Sequence, residues 1–227
     1  DSVTIGGEGC GFSIYGATDG GMAGIYLSGC TGCTIQDNRC GWDSGYYNDF
    51  GIYLSSSSDN TLTGNTCNSN LDYGIYLSSS SDNTLTGNTC GENSIGIYLY
   101  SSSNNTLTGN TCNSNNYFGI YLVTSSANTL TSNTCNSNSV CGISLGSSSD
   151  NTLAGNTANE NSKYGIYLAS SNNNTLNGNT CQSNSYYGIH LYSSSTNTLT
   201  GNTCNSNNSN GIYLNLSSDN TIYLNNF

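Results

Sequence analysis

Eleven cysteines stand in a chain of 227 residues that has only two basic side chains. Seven of them occupy one repeated position: Cys40, Cys67, Cys90, Cys112, Cys135, Cys181 and Cys204, spaced near 23 residues, with Ala158 filling the one gap. Thiols at such an interval suit three kinds of chemistry. They can be soft metal ligands, disulfide rungs or small apolar core residues. The remaining four, Cys10, Cys30, Cys33 and Cys141, lie off that register. The total is odd, so at least one thiol has no partner within the chain.

The other reactive side chains are few. Asp59, Asp82, Asp150 and Asp219 each precede an Asn at the same point of a repeated segment. An Asp there usually closes an Asx turn. Asp59 and Asp82 belong to neighbouring repeats and are the pair a calcium ion would bridge. His190 is the single histidine, and the two cations, Arg39 and Lys163, are far apart in sequence. A catalytic carboxylate pair needs a cleft and a tuned environment, and nothing in the pattern marks one. The expectation is a protein that is not an enzyme and needs no cofactor.

Composition narrows the partners. Charged residues make up 7% and the net charge is −11. Two cations cannot build the basic face that nucleic acid requires. No apolar run reaches the roughly 20 residues of a membrane span, so no membrane insertion is expected. The chain begins at Asp1 and is rich in cysteine but poor in charge. That fits an extracellular or cell-surface protein from which a leader has been removed.

The elements that position these residues come from a repeat. "GIYL" or a close variant starts at Gly24, Gly51, Gly74, Gly96, Gly119, Gly142, Gly165, Gly188 and Gly211. The steps are 27, 23, 22, then 23 throughout. Ile52 and Leu54 flank Tyr53, the period-two pattern of a strand with two residues inward and one outward. "NTLT" predicts a second strand with Leu62 inward, and "NTC" a third. Three short strands and three polar corners in about 23 residues make one coil of a parallel β-helix. Each residue type then lies over its copy one coil away, about 4.8 Å distant. Asn60 and Asn65 begin asparagine columns at two corners, where stacked amides bond one another and the turn backbone.

"GIYLSSSSDNTLTGNT" resembles the repeat of the NosD-type, pectin-lyase-like right-handed parallel β-helices, over residues 24–227. The fold class expected is therefore all-β, a single right-handed β-solenoid of about ten coils and roughly 45 Å. Residues 1–23 read as a degenerate first coil with Phe12 in the Leu62 column, and the last coil is incomplete. The family includes sugar lyases and hydrolases, whose clustered Asp, His, Arg or Lys have no counterpart in this spacing. It also includes a periplasmic protein tied to copper-enzyme maturation. Copper transport would use exposed Met, His or thiolate, whereas Met22 and His190 stand alone and the cysteine column faces inward.

Both ends read as open coil faces, and two unlike faces stacked head to tail make a heterologous contact. The expected function is thus structural: copies of the chain assembling head to tail into a filament, sheath or surface layer. The alternative is carbohydrate binding through an outward stripe of Tyr26, Tyr53, Tyr76, Tyr98, Tyr121, Tyr167 and Tyr213, with Ser144 and His190 as substitutes. The same stripe would serve lateral contacts or glycans. Thr-x-Thr pairs such as Thr61/Thr63 form another outward ladder, similar to the ice-binding face of some antifreeze proteins. The cysteine column reads as a buried thiol ladder, because in-register side chains give poor disulfide torsions. The disulfide candidates are Cys10 with Cys33, and Cys30 and Cys141, the last placed to face outward. Asn104, Asn173, Asn207 and Asn215 are glycosylation candidates by their Asn-x-Ser/Thr context.

Overall fold

The structure, a computed structural model, describes residues 23–41 and 47–227 and the backbone of 11–13. Among the described residues every regular element is a β-strand. Each coil opens with a long strand, from Ala23–Ser28 and Phe50–Ser55 to Ile212–Asn215, and continues with a three-residue strand such as Thr61–Thr63. Long strands stack on long strands and short on short, in two sheets. The pairing is parallel and in register, Ile52 over Ile75 and Leu62 over Leu85.

The expected third strand is reduced to a single bridged residue per coil. Arg39, Thr66, Thr89, Thr111, Thr134, Thr157, Thr180, Thr203 and Asn226 pair in one parallel column. The reason is local. Left-handed residues at Gly64 and Ser69 turn the chain on both sides of Thr66, so a single bridged residue fits between the corners. A second difference lies near the start. Gly11–Ser13 pairs antiparallel with Ala23–Ser28, Phe12 opposite Leu27, rather than adding a parallel rung in the Leu62 column.

Corners turn through single residues in the left-handed region. In one coil these are Ser56, Asp59, Gly64 and Ser69, with φ between 49 and 64°. Asp, Asn and Gly tolerate this conformation, and it recurs in every coil at the same places. The glycine opening each long strand meets a different constraint. A Cβ on Gly119 would lie 2.6 Å from the Gly142 carbonyl oxygen and 2.8 Å from Cys135 Cβ.

Ile52, Leu54, Leu62 and Cys67 represent four apolar columns that fill the core and are closed to solvent. Burial of such columns supplies roughly 25 cal/mol per Å² of apolar surface. The rest of the interior is polar. Asparagines form three buried ladders, beginning at Asn60, Asn38 and Asn70. In the middle ladder, the Asn65 backbone N–H and Nδ2 both donate to Asn88 Oδ1, at 3.0 and 2.9 Å. Asn65 Nδ2 also donates to the Ile35 carbonyl at 2.9 Å. The third ladder and a buried serine column, Ser57 over Ser80 over Ser102, lie in segments that read as exposed turns. The Ser57 N–H donates to Ser80 Oγ at 3.0 Å. The insertion and deletion leave all of this intact. The short coil loses its residue between Asn93 and Ile95, outside every ladder.

Asn133→Ala removes the acceptor of the Asn110 N–H and Nδ2 and the donor to the Leu107 carbonyl. At about 1–3 kcal/mol for each stranded buried group, it should cost about 3 kcal/mol or more in guanidinium denaturation. Asn116→Ala, at an exposed turn, should cost less than about 1 kcal/mol. Equal losses would sink the ladder account.

Candidate functional site

The long-strand sheet presents three outward positions per coil. In Phe118–Val123 they are Phe118, Tyr121 and Val123, each half-buried. Register stacks the central position. Tyr26, Tyr53, Tyr76, Tyr98 and Tyr121 follow one another with ring centroids 4.8 to 5.3 Å apart. A second group of rings continues as Tyr167, His190 and Tyr213, at 5.0 and 5.1 Å. The first position adds Phe50 beside Tyr73 and, further on, Tyr164 stacked on Tyr187. Such contacts contribute about 0.5–1.5 kcal/mol per pair beyond area burial. They also hold the rings in fixed orientations. Burial raises the pKa of Tyr76, Tyr98, Tyr121 and Tyr167. The phenols are therefore neutral near pH 7 and able to donate.

Between the two groups the face is interrupted. Cys141, Ser144 and Gly146 pair with Phe118, Tyr121 and Val123 on one side and with Tyr164, Tyr167 and Ala169 on the other. All three outward positions of one coil are thus small at once. The result is a transverse notch of about 290 Å³ with Lys163 among its lining residues. No ring contact spans it among the described residues. Tyr121 leans over its floor, the phenol oxygen 3.6 Å from where a Gly146 Cβ would stand.

Cys141 lies on the outward side of its strand but is completely covered, which corrects its expected role as an exposed cross-linking thiol. Burial pushes its pKa up to about 12, against smaller lowering effects of the Tyr164 backbone and Lys163. The seven columnar cysteines are all buried, and burial holds the thiols of Cys90, Cys135 and Cys181 well above the usual range. Cys30 and Cys33 are buried too, standing beneath Ser57 and Asn60. Their N–H groups donate to Ser57 Oγ and Asn60 Oδ1. Cys10 lies outside the described residues. Asp59 and Asp82 occupy exposed left-handed corners. Of the glycosylation candidates, Asn104 and Asn173 are exposed and Asn215 is half-buried. Asn207 belongs to the third ladder, donating to the Cys181 and Cys204 carbonyls, so its amide is committed inside the coil. Thr34, Thr61, Thr84 and their successors to Thr221 pair in an unbroken column on the short-strand sheet.

His190 replaces a tyrosine in the stack, as its register shows. It is 8% exposed, and neither ring nitrogen has a hydrogen-bond partner. Rings of Tyr164, Tyr167, Tyr187 and Tyr213 surround it.

Two parallel sheets wound in coils over a ladder-lined core define the class, a right-handed parallel β-helix, and the profile described as a right handed beta helix region matches residues 13–135. The chain belongs to the NosD family, described as periplasmic copper-binding protein, whose profile matches residues 112–227. Its described residues do not fit copper. The thiols form a single sealed file, His190 faces rings, and no three His, Cys, Asp or Glu side chains among the described residues converge. Met22 lies outside those residues.

Among solved structures, a mutant of the periplasmic alginate epimerase AlgG superposes with a TM-score of 0.75. The two are 21% identical over 85% of this chain and 59% of the epimerase. The A-module of an Azotobacter vinelandii mannuronan C-5 epimerase gives 0.74 at 17% identity, over 85% of this chain and 57% of its own. The enzymatically active domain of bacteriophage CBA120 tailspike protein 2 gives 0.71 at 14% identity, over 89% and 37%. The chain spans about three fifths or less of these structures, and the likeness is one of fold. No curated protein matches. The expectation that the chain is not an enzyme is overturned by these neighbours, which are two epimerases and an enzymatically active domain.

Burial lowers the His190 pKa below its ordinary value near 6.5. The folded state then favours neutral imidazole. That contribution is full above the ordinary value and is lost as pH falls through the lowered one. The Tm should fall more steeply between pH 7.5 and 5.5 in the wild type than in His190→Tyr. Parallel slopes would refute this.

Proposed function

We propose that the protein engages carbohydrate on its aromatic face. The observation that carries this reading is the file of stacked, half-exposed tyrosines running along the long-strand sheet. Stacked 4.8 to 5.3 Å apart, the rings cover one another's faces, so a glycan meets their outward edges and hydroxyls, and rings already locked by their neighbours lose little freedom on binding. Neutral phenols supply donors at the ring edges. The glycan-directed names of the structural neighbours, alginate epimerase and mannuronan C-5 epimerase, favour the same reading. The family description and AlgG are both periplasmic, and an extracytoplasmic location goes with it. The comparisons lend no support to a head-to-tail filament, so the carbohydrate reading takes precedence.

The test is binding to a panel of soluble polysaccharides, alginate included, by affinity electrophoresis and calorimetry. Products are analysed in parallel because the neighbours are enzymes. At least one polysaccharide should bind, and Tyr121→Ala and Tyr167→Ala should each weaken it about 2- to 10-fold, the equivalent of about 0.5–1.5 kcal/mol per lost ring contact. An empty panel, or binding indifferent to both substitutions, removes the proposal.

A further inference from the structure

We infer that the notch at Ser144 is a one-ring clamp, in which a single pyranose of the bound glycan takes the place of the missing aromatic rung. This rests on the carbohydrate reading and assigns it a place. Coils are one strand spacing apart, so the strands carrying Tyr121 and Tyr167 are separated by about 9.6 Å, twice about 4.8 Å. A ring held midway lies about 4.8 Å from each neighbour. That falls within the 4.5–7 Å of ring contacts and matches the 4.8 to 5.3 Å between adjacent tyrosines of the intact file. One ring therefore fits between these strands once Tyr121, whose phenol oxygen lies over Gly146, turns away.

Three further features fit a sugar ring. The floor is small, Ser144 and Gly146, and Ser144 is only 3% exposed, so it acts by its size and not by its hydroxyl. Lys163 lines the notch and is one of only two cations in the chain. Its ammonium offers three donors to ring oxygens and hydroxyls. The notch also runs along the strand direction, between two neighbouring long strands. The glycan therefore crosses the rod instead of lying along the tyrosine file. Tyr121, which leans over Gly146 in the structure, swings upright as the ring enters.

Ser144→Tyr restores the missing rung. It should weaken binding of the polysaccharide found in the panel by at least tenfold while raising the Tm, because the ring file becomes continuous. Ser144→Ala keeps the notch open and should bind within twofold of the wild type. Lys163→Met should weaken binding several-fold. Thr108→Ala, on the short-strand sheet, should leave it unchanged. Undiminished binding by a folded Ser144→Tyr protein overturns the clamp and leaves the aromatic face standing. A wild-type protein that binds no glycan overturns both.

Discussion

Stacked asparagine amides govern this molecule. Each ladder Asn accepts two hydrogen bonds at Oδ1 from the coil before it and donates its own to the coil after it. That exchange is possible only at one vertical spacing and one register. A slip of a single residue would leave buried amides and carbonyls stranded at three corners at once, each costing about 1–3 kcal/mol. The same slip would turn Ile and Leu outward and Tyr inward, so the apolar columns resist it too. A slip of two residues keeps every side chain on its own face, and against that slip the directional amide ladders hold the register, while non-directional burial supplies cohesion.

From that register follows everything on the outside. Because each coil lies directly over the last, every outward position becomes a file of like residues. A file of tyrosines becomes a rail of stacked rings, and a file of threonines becomes a flat hydroxyl row. A substitution in such a file is also amplified. One serine in a column of tyrosines creates a gap with aromatic walls on both sides, and three small residues in one strand turn that gap into a notch. His190 makes the opposite kind of defect, filling a ring position with a polar group that finds no partner.

The family description and the geometry point different ways on copper. A buried file of thiols, broken at Ala158, offers no converging donor set among the described residues. Ala158 takes the same position and is equally buried, which is how a core column behaves. The likeness to alginate epimerases lies in the winding of the coils, whereas the tyrosine rail and its interruption are features of this chain's own residues.

Much of this was legible in the sequence. Period-two alternation assigns Ile, Leu and Tyr to opposite sides of a strand, and a fixed period near 23 stacks each type on its copy. The core columns, the thiol ladder, the Tyr file and two of the three Asn ladders follow from those two facts. Tertiary structure decided the rest. Ser57 and Asn70 look like turn residues, yet left-handed residues at the corners rotate them inward, and no linear pattern reveals that rotation. Thr66 lies in a segment that reads as a strand, but left-handed corners at Gly64 and Ser69 leave room for one bridge. Asn207 is committed to a ladder by the carbonyls of Cys181 and Cys204, and Cys141 is fully covered although its strand position points outward. The notch depends on three coils together. Sequence alone determined which side of the strand each residue takes, because that depends on neighbours in the chain. Only the fold decided what covers it, because that depends on neighbours one coil away.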